Sequence, residues 1–172
     1  MSVRRMIHDK MMGPHFLRQA FEEGPDAVLW CVESQEDFYA LREARQSVTG
    51  SFGEFSHKHA AQLRPFSGLL LIGVTLDDAG AFEARRRWLL VTEVLSARQV
   101  QFRAPARDLW EGATFADHFA EGYTLDETRR VSLRDMRSAI EREEDRRRTQ
   151  DVAIDLQAAI ARAPKVRTGV AS

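Results

Sequence analysis

Cysteine and long apolar runs are both scarce in this sequence of 172 residues. The single cysteine, Cys31, excludes an intramolecular disulfide and any zinc site that needs several cysteines. It lies inside an apolar run, where a thiol is usually an unreactive core residue. No apolar run approaches the roughly 20 residues of a membrane-spanning helix, and the N-terminus leads into a charged amphipathic segment rather than a signal-peptide core. We therefore expect a soluble, cytoplasmic protein without a membrane partner.

An excess of charge of one sign is also lacking, because 25 basic and 26 acidic residues leave a formal net charge of −1. This balance excludes the strongly basic composition that is typical of constitutive nucleic-acid binders. Lysine is rare, and 22 of the basic residues are arginine. Arginine suits planar recognition of phosphate or carboxylate, but the same bias also follows from a GC-rich coding sequence.

One largely apolar stretch, residues 68–103, dominates the fold prediction. Leu69–Leu76 is apolar at nearly every position, which predicts a central strand covered on both faces. Trp88–Leu95 and Gln99–Arg103 follow a two-residue period and predict two further strands, the last of them nearer an edge. Turn residues separate the three segments, so we expect an antiparallel meander. Ala27–Glu33 is a short apolar run that predicts a fourth strand.

Helices are predicted around this sheet. Ser34 is expected to cap a helix that ends at Gly50, and a second helix is expected from Phe52 to Leu63. The elements together predict an α+β fold of one domain, residues 1–123, in which helices pack on a three- or four-stranded, mostly antiparallel sheet.

A GxxG sequence, Gly50-Ser51-Phe52-Gly53, lies between these two predicted helices. The arrangement resembles the backbone clamp of the KH family of nucleic-acid-binding domains over about residues 27–76, and the resemblance implies contact with a nucleic-acid backbone. The sequence departs from the family pattern because Ser51 and Phe52 carry no positive charge. A turn between two helices uses glycine in the same place for its left-handed cap, and we interpret the tetrapeptide as such a turn.

A long helical region follows the predicted domain. Residues 124–164 are expected to form one charged amphipathic helix or a helix pair, and residues 165–172 a disordered tail. The octet at 141–148, EREEDRRR, has no apolar residue and divides the region into two apolar stripes. The side chains predicted to contact a partner lie on these stripes: Leu133, Met136, Ile140, Val152, Leu156 and Ile160. An isolated amphipathic helix is marginally stable in water, so the pattern predicts a protein partner, a second copy of the chain, or a return onto the chain's own domain.

Three carboxylates suggest an alternative function. Asp77 and Asp78 follow the predicted central strand, and Glu93 lies on an aliphatic strand face, a set that could serve a metal-dependent hydrolase. The two aspartates equally suit a strand-ending turn, which uses such residues for its own backbone hydrogen bonds.

Arginines suggest a second alternative, a nucleic-acid-binding accessory protein. Its predicted contact residues are Arg85, Arg86, Arg87 and Arg103, which would have to lie on one surface to act together.

Assembly without catalysis is the function that the sequence favours, because the second apolar stripe needs a partner and no catalytic constellation is evident. We expect a protein partner or a homo-oligomer, and we predict no catalytic residue, metal ligand or cofactor.

Overall fold

The computed structural model describes residues 10–51 and 53–162, which form a five-stranded mixed sheet with helices on both faces. The strands lie in the order β2-β1-β3-β4-β5. Their bounds are β1 Val28–Val32, β2 Val48–Gly50, β3 Leu69–Gly73, β4 Val100–Ala104 and β5 Arg129–Val131. The first four strands are parallel, and β5 is antiparallel to β4 at one edge.

Six α-helices occur among the described residues. They are α1 Pro14–Glu23, α2 Gln35–Glu43, α3 His57–Gln62, α4 Asp78–Val91, α5 Phe115–Ala120 and α6 Arg137–Arg162. Helices α3, α4 and α6 share one apolar core with the sheet, and α2 and α5 share the core on its other face. The sheet is therefore the middle of three layers.

The predicted antiparallel meander is wrong, because its second strand is the C-terminal half of α4. Trp88–Val91 belongs to this helix, which joins β3 to β4 as a crossover and makes the two strands parallel. The buried face of α4 includes Gly80, which has no side chain, and the small residues Ala81 and Ala84, so the helical period of apolar residues is weak. The larger apolar residues near the C-terminal end of α4 follow the two-residue period that predicts a strand.

The predictions for individual strands were better than the prediction of their pairing. β3 is the middle strand of five and is buried along nearly its whole length, in agreement with its continuous apolar run. β4 alternates between buried and half-buried residues, and it lies one strand inside the edge. β1 lies within the predicted Ala27–Glu33 segment.

The GxxG sequence does not lie between two helices. Ser34 caps α2 through its hydroxyl, but that helix ends at Glu43, and Gly50 is the last residue of β2. A Cβ on Gly50 would lie 2.5 Å from the carbonyl oxygen of Val32, so glycine is needed here for the close approach of two strands. Phe52 is outside the described residues.

The region after residue 123 contributes to the globular body. Strand β5 pairs with β4, and Met136 and Ile140 are buried in the core beneath α6. Ser132 and Asp135 form reciprocal hydrogen bonds just before α6, as expected of a capping pair. The predicted tail, residues 165–172, lies outside the described residues. No helix in residues 10–51 and 53–162 combines the length and the apolar character that crossing a membrane requires.

Candidate functional site

The carboxyl ends of the parallel strands form one edge of the sheet, where ligands commonly bind in open parallel sheets. The strand order reverses between β1 and β3: β2 is added beside β1 on one side, and β4 is added beside β3 on the other. Phe115 of α5 fills the space beside these strands. A Cβ on Gly73 would lie 2.9 Å from its ring, and the ring is T-shaped to Trp30 at 5.2 Å. Core packing therefore fills the space at the carboxyl ends of β1 and β3. The polar groups lie on either side of that space.

Asp77 and Asp78 are both committed to structural contacts at this edge. The Oδ1 atom of Asp77 accepts a hydrogen bond of 2.7 Å from the backbone of Gly80 and thereby caps α4. Asp78 pairs with Arg142 of α6 at 2.6 Å. The hydrogen bond from Arg142 holds the pKa of Asp78 below its ordinary value. Each carboxylate therefore already has a partner within the chain.

Glu93 lies beyond the opposite end of α4 and accompanies neither aspartate. A helix of 14 residues spans about 21 Å, which is too far for Asp77 and Glu93 to share one metal ion. Glu93 is exposed, and its Oε2 atom lies 2.9 Å from Nδ1 of His57. In the described part of the chain, no three histidine, cysteine, aspartate or glutamate side chains come together as metal ligands would. The geometry gives the hydrolase hypothesis no support.

The predicted arginine surface is largely neutralised by the chain's own acids. Arg85 pairs with Glu144, and Arg86 pairs with Glu54 and with Glu83. Arg103 lies on β4, where its Nη1 donates a hydrogen bond of 3.2 Å to the backbone oxygen of Thr128. These side chains have different partners on different elements. Arg85 and Arg86 therefore offer little free positive charge to a nucleic-acid backbone.

Arg87 differs from its neighbours because it is buried, with 3% of its side chain exposed. Its Nη2 atom lies 3.3 Å from Oε2 of Glu33, which is half exposed. Its Nε and Nη1 atoms are also buried, and neither has a hydrogen-bond partner among the described residues. Donors that lose water without gaining a partner cost free energy, so we expect Arg87 to lower the stability of the fold.

We expect the substitution Arg87→Met to raise the free energy of unfolding by about 1–2 kcal/mol, because methionine removes two unpaired buried donors and keeps most of the apolar stem. Urea denaturation followed by circular dichroism measures the change. Arg86→Met is the matched control, because Arg86 is partly exposed and paired; we expect it to lose about 0–1 kcal/mol. A clear loss of stability in Arg87→Met would contradict the prediction.

The residues predicted to contact a partner fall into two groups, one just before and at the start of α6 and the other in its distal part. Met136 and Ile140 are buried in the chain's own core, and Leu133 packs against it. They are used inside the fold because the first turns of α6 lie on α4 rather than in solvent. Val152 and Leu156 are 67% and 60% exposed. The side chain of Ile160 lies outside the described part of the structure.

The charged octet between the two groups does not cross solvent as a fully hydrated segment. Glu143 is 1% exposed and accepts hydrogen bonds of 2.7 Å from Nε of both Arg146 and Arg147. Arg147 also pairs with Glu83 of α4 at 3.0 Å, and its guanidinium carbon lies 4.1 Å from the centre of the Phe82 ring. The octet therefore fastens α6 to α4.

A cavity of about 250 Å³ opens at the carboxyl ends of β3 and β4, beside the start of β5. Its lining includes Leu76, Pro105, Leu109, Trp110, Glu111 and Arg129. Trp110 is 56% exposed at this cavity. Sequence reasoning did not single out Arg129. An aromatic residue in a polar loop that follows a strand is the signal that could have identified this site.

Comparison of the chain with known protein families, with curated proteins and with solved structures finds no match, so the functional argument depends on this geometry.

Proposed function

We propose that this chain is a non-enzymatic assembly protein that pairs with a second copy of itself through the distal segment of α6, residues 149–162. The observation that carries the proposal is the exposure of Val152, Ile154 and Leu156, of which 67%, 55% and 60% of the surface faces solvent. Val152 and Leu156 are four residues apart and share one helix face. Full burial of side chains of this size contributes about 1.5–3 kcal/mol each.

The base of α6 gives this segment a fixed direction. Three ion pairs join α6 to α4: Arg85 with Glu144, Arg142 with Asp78, and Arg147 with Glu83. A helix that is already held at its base loses less conformational freedom on binding than a free peptide does. This preorganisation supports a role for the distal segment as a docking element.

Charge complementarity favours a second copy as the occupant. The segment carries Asp151 near its start, Asp155 at its middle and Arg162 at its end. When two copies lie antiparallel, the end of each helix that carries Asp151 lies beside the end of the other that carries Arg162. Opposite charges that flank an apolar seam are the arrangement that sets partner choice and orientation in paired helices. A different protein with an apolar groove remains the alternative occupant.

Native mass spectrometry and light scattering of the full-length chain test the proposal. We expect a dimer of the 19.6 kDa chain. Replacing Val152 and Leu156 together by aspartate should weaken dimerisation by about 100-fold, because each copy loses two apolar contacts. Gln157→Glu is the control, since it adds charge to the same segment without removing an apolar side chain. A wild-type chain that stays monomeric at every concentration would overturn self-pairing.

A further inference from the structure

We propose that the cavity beside Arg129 and Trp110 binds a small anion that carries a flat ring, of the nucleoside-monophosphate class. This site is separate from the distal segment of α6. It lies at the carboxyl ends of β3 and β4, the edge at which parallel sheets commonly bind ligands.

Arg129 supplies the anion-binding half of the site. Its Nε donates a hydrogen bond of 3.3 Å to the backbone oxygen of Pro105, which points the guanidinium along the cavity wall. No carboxylate oxygen of the described residues lies within 4.0 Å of Arg107 or Arg129, in contrast to the paired Arg85 and Arg86. Partial burial lowers the pKa of Arg129, the positive charge of Arg107 lowers it further, and the negative charge of Asp135 acts in the opposite direction. An anion would relieve the effects of burial and of Arg107 by accepting hydrogen bonds from this guanidinium.

Trp110 supplies the half of the site that recognises a ring. Its side chain is more than half exposed at the cavity wall, where Leu109 and Leu76 provide apolar neighbours. Gly112 allows the loop to turn here with a φ of 81°, a conformation that costs other residues free energy. The loop also has a firm anchor, because the backbone of Ala106 donates a hydrogen bond of 3.0 Å to Nδ1 of the buried His118. An exposed indole is a suitable stacking surface for a base.

Size and charge limit the ligand. A volume of about 250 Å³ is below the usual range of roughly 300–1,000 Å³ for ligand pockets, so it fits a mononucleotide only in part and a dinucleotide poorly. Glu111 also lines the cavity, and its carboxylate would repel an extended polyanion. These limits favour one phosphate and one ring over a triphosphate or a nucleic-acid strand.

Titration of the full-length protein with adenosine monophosphate, followed by tryptophan fluorescence and calorimetry, tests the site. We expect saturable binding that weakens about tenfold in Arg129→Gln, which removes the charge-assisted hydrogen bonds. Trp110→Leu should also weaken binding about tenfold, because stacking of the base is lost. Arg130→Gln is the matched control, since the adjacent residue of β5 points to the opposite face of the sheet and the substitution changes net charge equally.

Two comparisons make the result decisive. Inorganic phosphate and adenosine are titrated separately, and each should bind more weakly than the monophosphate because it reaches only half of the site. Equal binding of phosphate and the monophosphate would overturn the ring-recognition part of the proposal. Absence of saturable binding at millimolar concentrations, or equal weakening by Arg129→Gln and Arg130→Gln, would overturn the site.

Discussion

Phe115→Ala should lower the free energy of unfolding by about 4 kcal/mol, the largest effect that we expect from a single substitution in this chain. Phe115 is 1% exposed and packs against Trp30 in a T-shaped arrangement. It occupies the space that the absent side chain of Gly73 leaves beside β3. Its removal opens a cavity between α5 and the sheet that neighbouring side chains cannot fill without moving strands.

Urea denaturation of Phe115→Ala beside Phe119→Ala measures this effect. Phe119 lies on the same helix but is only partly buried, so we expect a loss of about 1–2 kcal/mol from its substitution. Phe115→Leu provides a milder variant if the alanine variant does not fold, and it should lose about 1 kcal/mol. Equal losses at positions 115 and 119 would contradict the central role of Phe115.

Glu143→Gln should lower the free energy of unfolding by about 2 kcal/mol, because it removes the negative charge from a buried carboxylate that accepts hydrogen bonds from two arginines, one exposed and one half-buried. Glu143 receives hydrogen bonds from Arg146 and Arg147 while its own side chain is almost wholly enclosed. The substitution also weakens the attachment of α6 to α4, since Arg147 bridges Glu143 and Glu83. Glu141→Gln is the control, because Glu141 is exposed on the same helix.

The contribution of Glu143 should depend on pH in a defined direction. The hydrogen bond from Arg147 lowers the pKa of Glu143 in the folded state below its ordinary value of 4.5. A carboxyl group with a lowered folded pKa stabilises the fold above its unfolded pKa and loses that contribution as the pH falls through the folded pKa. The stability difference between wild type and Glu143→Gln should therefore be constant near neutral pH and shrink below about pH 4.5. A difference that grows on acidification would contradict this assignment.

Sequence reasoning reached the candidate sites only in part. It predicted from their spacing that Val152 and Leu156 contact a partner, and the structure shows that both side chains are exposed; the contact itself stays a prediction. It also predicted partner contact for Met136 and Ile140 on the first apolar stripe, although both are buried in the chain's own core. Periodicity shows that a helix face is apolar, but it does not show what covers that face.

Local sequence patterns could have drawn attention to Trp110, but they could not show that it lies beside Arg129. Trp110 and Arg129 are 19 positions apart in the sequence. They meet because β5 turns back against β4, which places Arg129 opposite Ala104 at the end of the sheet. Local sequence patterns carry no information about such a return.

By itself the sequence determined the positions of β1, β3 and β4 and the cap at Ser34, because each depends on burial or hydrogen bonding among neighbouring residues. Only the tertiary structure decided that β3 and β4 are parallel and that the octet fastens α6 to α4. The parallel pairing depends on the packing of the small residues of α4 against the sheet. The attachment of α6 depends on ion pairs such as that of Glu83 with Arg147, which are 64 positions apart in the sequence. Their free energy arises from packing between elements, which no local pattern records.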